Sequence, residues 1–179
     1  MSFKDTSISV LRIGGEILKN KKLTFVLFII YFLALNWLVL FKLQLSFNQI
    51  DRVRIINMIP LNRSVFSEVY NNVRIFVPFG IYICMLKSKW SFMKKLLSIF
   101  GLTLAFETLQ FVLAIGRSDI TDILANTLGG AIGIGIYEFF FKILKHRTNK
   151  FINIFALVLT SCALLFIILL FKRHRILYL

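Results

Sequence analysis

Residues 116–133 read GRSDITDILANTLGGAIG. An arginine (Arg117), two carboxylates (Asp119 and Asp122) and an amide (Asn126) run directly into an apolar stretch that contains Gly129, Gly130 and Gly133. Ionisable side chains on a lipid-compatible helix are expensive, so they face a protein interior or a wet cavity and mark the working part of a membrane protein. Gly129 and Gly133, four apart, let a second helix approach closely, the small-xxx-small pattern of spanning helices. A phosphate-loop reading of these glycines lacks the required strand-to-helix context, so packing is their expected role.

The composition agrees with that placement. Of 179 residues, 58% are hydrophobic and 20 are Phe, and the mean hydropathy is +0.81, which excludes an ordinary water-soluble domain. Five windows approach the ~20 apolar residues a spanning helix needs, at about 23–41, 71–87, 95–115, 120–143 and 151–171. The expected fold is therefore an all-α polytopic transmembrane bundle of about five helices. Its connections are too short for a further soluble domain. The first window follows Lys19, Lys21 and Lys22 like a signal peptide, but its length and the lack of a small-x-small cleavage site indicate a retained anchor. Residues 1–22 read as an interfacial amphipathic segment, residues 23–171 as one transmembrane domain, and residues 172–179 as a basic tail. Arg74 and Pro78 interrupt the second window. Such a proline is tolerated where neighbouring side chains satisfy the backbone groups it frees.

Lys and Arg alternate across the loops unevenly. The N-terminal tail and the second and fourth connections carry thirteen, and the other side carries eight. The positive-inside rule places the N-terminus in the cytoplasm and the loop around residues 116–119 outside. The net charge of +14 suits anionic lipid headgroups and not a nucleic acid, since no soluble basic domain exists to hold a duplex.

Every unusual polar group then falls on the external half. Glu107 and Gln110 share a face of the third window, roughly 13 Å and 9 Å below its outer end at 1.5 Å per residue. Asp122 and Asn126 share a face of the fourth, which continues through the glycines to Tyr137, and Asn71, Arg74, Pro78 and Tyr82 share a face of the second. Three polar faces are expected to converge on one outward cavity, with the first and fifth helices as lipid-facing supports. Bland roles compete for several of these residues. Asp119 is placed to cap the fourth helix, and Glu107 could pair with Arg74 or Arg117 for packing alone. Cys84 and Cys162 lie inside apolar runs and read as inert hydrophobes, while His146 and His174 are too far apart for a shared role. No metal site and no cofactor is expected.

These residues also carry a family resemblance. NMIPL at 57–61, with Asn57 and Pro60, is followed by NNVRIFVPFG at 71–80, with Asn72, Pro78 and Gly80, then by ETLQ at 107–110 and the segment at 116–133. In order and spacing, over about residues 57–137, this set resembles the VanZ family of bacterial membrane proteins. Leu61 and Thr121 depart from the Phe and Asp that the family pattern often has there, which weakens any idea of a three-carboxylate metal site. The resemblance implies a small multi-pass protein of the bacterial cytoplasmic membrane, in a family whose name member is associated with resistance to the lipidated glycopeptide teicoplanin and which has no settled activity.

Two functions fit. In the first, Arg74, Arg117, Glu107, Gln110, Asp119, Asp122 and Asn126 bind the headgroup of a membrane lipid or lipid-linked envelope precursor, the arginines taking its phosphate. In the second, an enzyme acts on a lipid-linked phosphate or sugar with Glu107 or Asp122 as acid-base residue. No nucleophile with an adjacent base is visible, which favours the non-enzymatic reading. Oligomeric state is not encoded in any recognisable pattern.

Overall fold

The computed structural model describes residues 3–41, 55–57, 66–113 and 117–176. Its elements in chain order are α1 (Phe3–Phe41), β1 (Ile55–Asn57), α2 (Phe66–Leu86), α3 (Phe92–Leu113), β2 (Arg117–Asp119), α4 (Ile120–Leu144), a 3₁₀ turn (Lys145–Arg147) and α5 (Thr148–Ile176). Pro60 lies outside the described residues, as do most of the NMIPL segment and Gly116.

The apolar windows appear as helices with shifted ends. The N-terminal segment is helical but joins the first spanning window without a break, so α1 is a single element of 39 residues. No proline lies between Phe3 and Phe41 to stop it. Helix α2 begins at Phe66, a full turn before the expected start, which adds Glu68 to its first turn, where the positive end of the helix dipole favours a carboxylate. One continuous apolar span reaches from Ile120 to Leu170, 51 residues. At 1.5 Å per residue that is roughly 76 Å, more than twice the ~30 Å hydrocarbon core. The chain breaks it at Lys145, whose φ of 48° departs from helical geometry, and so divides it into α4 and α5. The basic residues Lys142, Lys145, Arg147 and Lys150 cluster at this break.

Two compact units are formed, residues 1–27 with 146–179 and residues 28–145. In the first, α1 and α5 are joined by a polar clamp. Asn153 Nδ2 donates to the Asn20 carbonyl at 3.1 Å and to Thr24 Oγ1 at 2.9 Å. Most of α5 beyond this clamp is apolar and exposed, from Ile154 to Leu170, the surface a helix shows to lipid.

The second unit contains the last part of α1 with α2, α3 and α4. Its centre is aromatic: Phe28 and Phe32 of α1 meet Phe79 of α2, and Phe76 of α2 meets Phe106 of α3 edge to face at 6.4 Å. Leu35, Phe76, Cys84 and Ile99 have no exposed surface. Helix α1 is therefore part of this core, and the expectation that it merely faces lipid is corrected. The sequence shows no polar stripe on this part of α1 to signal this; its buried Leu35 and Val39 are as apolar as its exposed Leu33.

Helices α2 and α4 pack backbone to backbone. A Cβ added at Gly129 would stand 2.9 Å from Val73 Cα, and one at Gly133 would stand 3.1 Å from the Gly80 Cα. One at Gly80 would collide with the Gly130 carbonyl oxygen. Only glycine allows that approach. Gly130 instead receives the Ile99 side chain of α3. All four glycines serve helix packing.

Pro78 sits inside α2, where it has no amide to bond the Arg74 carbonyl four residues before it. Close by, the Tyr31 hydroxyl of α1 donates to the Ile75 carbonyl at 2.6 Å and ties α1 to α2.

Candidate functional site

The signature segment starts in a short parallel ladder, which a reading of helices alone did not anticipate. Ile55, Ile56 and Asn57 pair with Arg117, Ser118 and Asp119 in that order. Asn57 of the NMIPL segment is thereby the ladder partner of Asp119, sixty-two residues later. Asp119 then caps α4. Its backbone is extended (φ −129°, ψ 125°) and its Oδ1 accepts from the Thr121 amide at 2.8 Å, satisfying one of the orphan donors of the first turn. The Asp119 amide in turn donates to Glu107 Oε2 at 2.9 Å. Glu107 is 4% exposed and holds the start of α4 from α3.

From this anchored start, Asp122 and Asn126 project from the first two turns of α4, both buried. Asn72 Nδ2 of α2 donates to Asp122 Oδ1 at 2.6 Å, and Asn126 Nδ2 donates to Thr103 Oγ1 of α3 at 2.8 Å. Gln110 is fully buried and donates to the Val39 carbonyl of α1 at 2.8 Å. Each bond crosses between helices, so the polar groups stitch all four helix segments of this unit together at one end. Among the described residues, the buried side-chain oxygens Gln110 Oε1, Thr121 Oγ1 and Asn126 Oδ1 have no hydrogen-bond partner.

A cavity of about 520 Å³ opens beside them, lined by Leu38 and Val39 of α1, by Glu68, Asn71, Asn72, Arg74 and Ile75 of α2, and by Asp122 and Asn126 of α4. Glu68, Asn71, Asn72 and Ile75 follow i, i+3, i+4 and i+7 spacing, one face of a helix. Asn71 and Arg74 of the expected stripe line the cavity, whereas its deeper members Pro78 and Tyr82 do not, Tyr82 being buried in the aromatic core. Arg74 is exposed at the rim, its guanidinium 5.1 Å from the Tyr70 ring centroid, a cation–π contact. Glu68 is exposed as well, whereas Asp122 and Asn126 form the buried floor. Glu68 and Asp122 stand in the first turns of α2 and α4, whose dipoles favour negative charge there.

Of the residues expected to bind, Arg74, Asp122 and Asn126 line this cavity. Glu107, Gln110 and Asp119 lie in the same region but outside the lining, engaged with backbone groups that position α1 and α4. The Arg117 side chain lies outside the described residues. Asn72, expected to be structural, lines the wall and holds Asp122. Glu68 was missed; a helix start one turn earlier would have revealed it. Among the described residues, no three His, Cys, Asp or Glu side chains cluster to hold a metal ion.

A second polar group lies at the other end of the unit. Lys95 is 5% exposed, and its Nζ stands 3.7 Å from Glu138 Oε1. This residue counts toward the positive loops by sequence, yet α3 begins before it and takes it into the bundle. At the adjoining turn Lys87 stacks over Trp90, 5.3 Å from its ring centroid, suiting Trp90 to an interfacial position.

A multi-pass helical membrane protein with a polar cavity at one end of a glycine-packed helix unit is the class these features define. The VanZ/LLP1 family model matches residues 28–144, nearly the bounds of the second compact unit. The chain is also 35% identical over 148 residues to Protein VanZ of Enterococcus faecium, covering 81% of this chain and 89% of that protein. The chain belongs to the VanZ/LLP1 family. No solved structure matches it. The family match extends beyond residues 57–137, where the motifs lie, and takes in the second half of α1, which supplies Leu38 and Val39 to the cavity.

Proposed function

We propose that this protein lies in the bacterial cytoplasmic membrane with its N-terminus inside and uses the cavity to bind the headgroup of a cell-envelope lipid or lipid-linked precursor at the outer surface. The observation that carries this reading is the lining itself. One wall is apolar (Leu38, Val39, Ile75), the others carry Arg74, Asn71, Asn72, Asp122 and Asn126, and the whole opens among helices apolar enough to span a bilayer. A site that is part apolar, with a few fixed polar groups, is the usual form of a small-molecule pocket, and its volume falls within the ~300–1,000 Å³ such pockets have. Arginine at the rim suits a phosphate, to which its planar fork donates two bonds. Altered access to such a lipid would give low-level protection against a lipidated glycopeptide such as teicoplanin, which acts at that surface.

The test is expression of the wild type, Arg74→Ala and Asp122→Asn in a glycopeptide-susceptible host, with membrane insertion checked by immunoblot. Teicoplanin susceptibility and the lipids that co-purify are then compared. Wild type is expected to protect and to retain lipid, and both variants are expected to lose each property while still inserting. Full protection by both variants removes the cavity from the function.

A further inference from the structure

We infer that the headgroup this cavity takes is a hydroxyl-bearing one, a polyol or sugar attached to phosphate, and not a bare phosphate; this deepens the lipid-headgroup reading above and rests on it. The charged groups of the lining among the described residues are Glu68, Arg74 and Asp122. They are ordered by depth. Arg74 is exposed at the rim, while Asp122 is 4% exposed on the floor. A phosphate therefore finds its cation at the mouth, and the groups deeper in the cavity are a carboxylate and an amide, which suit hydroxyls.

The floor asks for a different chemistry. Asn126 is 1% exposed and lines the cavity, and with Nδ2 on Thr103 its Oδ1 has no partner. A buried polar atom left unpaired is costly and marks a place where another group belongs. A hydroxyl both donates and accepts, so it satisfies the Asn126 amide whichever way that amide is turned, and it donates to a carboxylate such as Asp122. Size points the same way. A cavity of about 520 Å³ falls within the ~300–1,000 Å³ of pockets that take whole small molecules, more than a single phosphate needs. The arrangement fits a phosphate at Arg74 with hydroxyls reaching inward to Asp122 and Asn126. Two sources share that chemistry, the glycerol headgroup of a bulk phospholipid and the sugar of a lipid-linked precursor.

The experiment uses the purified full-length protein in detergent and native mass spectrometry with four lipids of matched solubility. These are a phosphatidylglycerol, a polyprenyl phosphate bearing one hexose, a phosphatidic acid, and a phosphatidylcholine, whose headgroup has no hydrogen-bond donor. Either hydroxylated lipid is expected to bind about tenfold more tightly than phosphatidic acid and phosphatidylcholine, a difference of one decade in Kd. The tighter of the two identifies the source. Glu68→Gln, at an exposed position that leaves the packing intact, is expected to bring phosphatidic acid closer to the hydroxylated lipids. Arg74→Gln is expected to weaken all the phosphate lipids together, and Asn126→Ala to remove the preference for hydroxyls. Phosphatidic acid binding as tightly as the hydroxylated lipids overturns this inference and leaves the lipid reading standing. Binding of all four unaffected by Arg74→Gln, Glu68→Gln and Asn126→Ala overturns both.

Discussion

Alanine at Gly129 introduces one methyl group, and the structure says where it goes. The Cβ would collide with the Val73 carbonyl oxygen and stand 2.9 Å from both Val73 Cα and the Val73 carbonyl carbon, whereas carbon atoms pack best at about 3.5–4.0 Å. All three atoms are helix backbone, so none can rotate away, and α2 and α4 must separate locally by about 1 Å or more to relieve the contact. Overpacking of this kind costs about 1–3 kcal/mol, from which the better helix propensity of alanine returns about 0.5–1 kcal/mol. The same substitution at Gly135 of the same helix meets nothing within 4 Å and receives the propensity gain without the collision. The two variants should therefore differ by about 1–3 kcal/mol, the packing term alone. Gly133→Ala and Gly80→Ala should behave like Gly129→Ala. Gly130→Ala should be milder, because its nearest neighbours are the Ile99 methyl and methylene groups, which can turn aside. The assay is SDS titration of the purified protein in mixed micelles, followed by far-ultraviolet circular dichroism, with all five variants on one wild-type reference. Equal midpoints for Gly129→Ala and Gly135→Ala would refute the close α2–α4 packing and, with it, the placement of Asp122 opposite Asn72.

Other variants test the supporting contacts. Tyr31→Phe removes the hydroxyl that donates to the Ile75 carbonyl and is expected to cost about 0.5–1.5 kcal/mol in the same titration, the net contribution of one hydrogen bond; an unchanged midpoint would show that this α1–α2 bond adds nothing to stability. Glu107→Gln keeps an acceptor oxygen for the Asp119 amide and should retain lipid capture, whereas Glu107→Ala should lower stability by about 1–3 kcal/mol and weaken capture indirectly; loss of capture by a stably folded Glu107→Gln protein would give Glu107 a direct role instead. A double-mutant cycle of Asn126→Ala and Thr103→Val should reveal a coupling of about 0.5–1.5 kcal/mol across α3 and α4, and strict additivity would deny the bond. A cysteine at Ser118, in a background with Cys162 replaced by alanine, should react with an impermeant maleimide on intact cells; protection there with reaction in inverted vesicles would place the cavity on the cytoplasmic side.

The fold was largely legible because lipid removes most alternatives. A backbone in hydrocarbon must satisfy its own polar groups, so long apolar windows can only be helices, and α2 to α5 follow their windows to within a few residues. The glycines were legible for a related reason. Without a hydrophobic drive between helices in lipid, close approach at small residues is a principal means of association, and Gly129 and Gly133 have the spacing that brings α2 against α4. The ladder between Ile55–Asn57 and Arg117–Asp119 was not legible. Three residues carry too little periodicity to announce a strand, and their pairing depends on α2 and α3 returning the chain to the same place. The role of α1 was hidden too, since in an apolar helix a buried Leu35 and an exposed Leu33 are the same residue type.

The site was legible as a set of residues and not as a division of labour. Sequence places Glu107, Gln110, Asp119, Asp122 and Asn126 at one end of two helices, and a polar residue there can either line a space or hold the wall beside it. Which it does depends on the nearest unpaired backbone group, a tertiary fact. Glu107 meets the Asp119 amide and Gln110 meets the Val39 carbonyl, so both are drawn into the frame. Asp122 meets a side chain, Asn72, and Asn126 meets Thr103, so each stays at the edge of the space that it borders. The family match spans both the frame and the lining. Residues 28–144 contain every residue of the lining and the partners Asn72, Thr103 and Glu107 that hold Asp122, Asn126 and the start of α4.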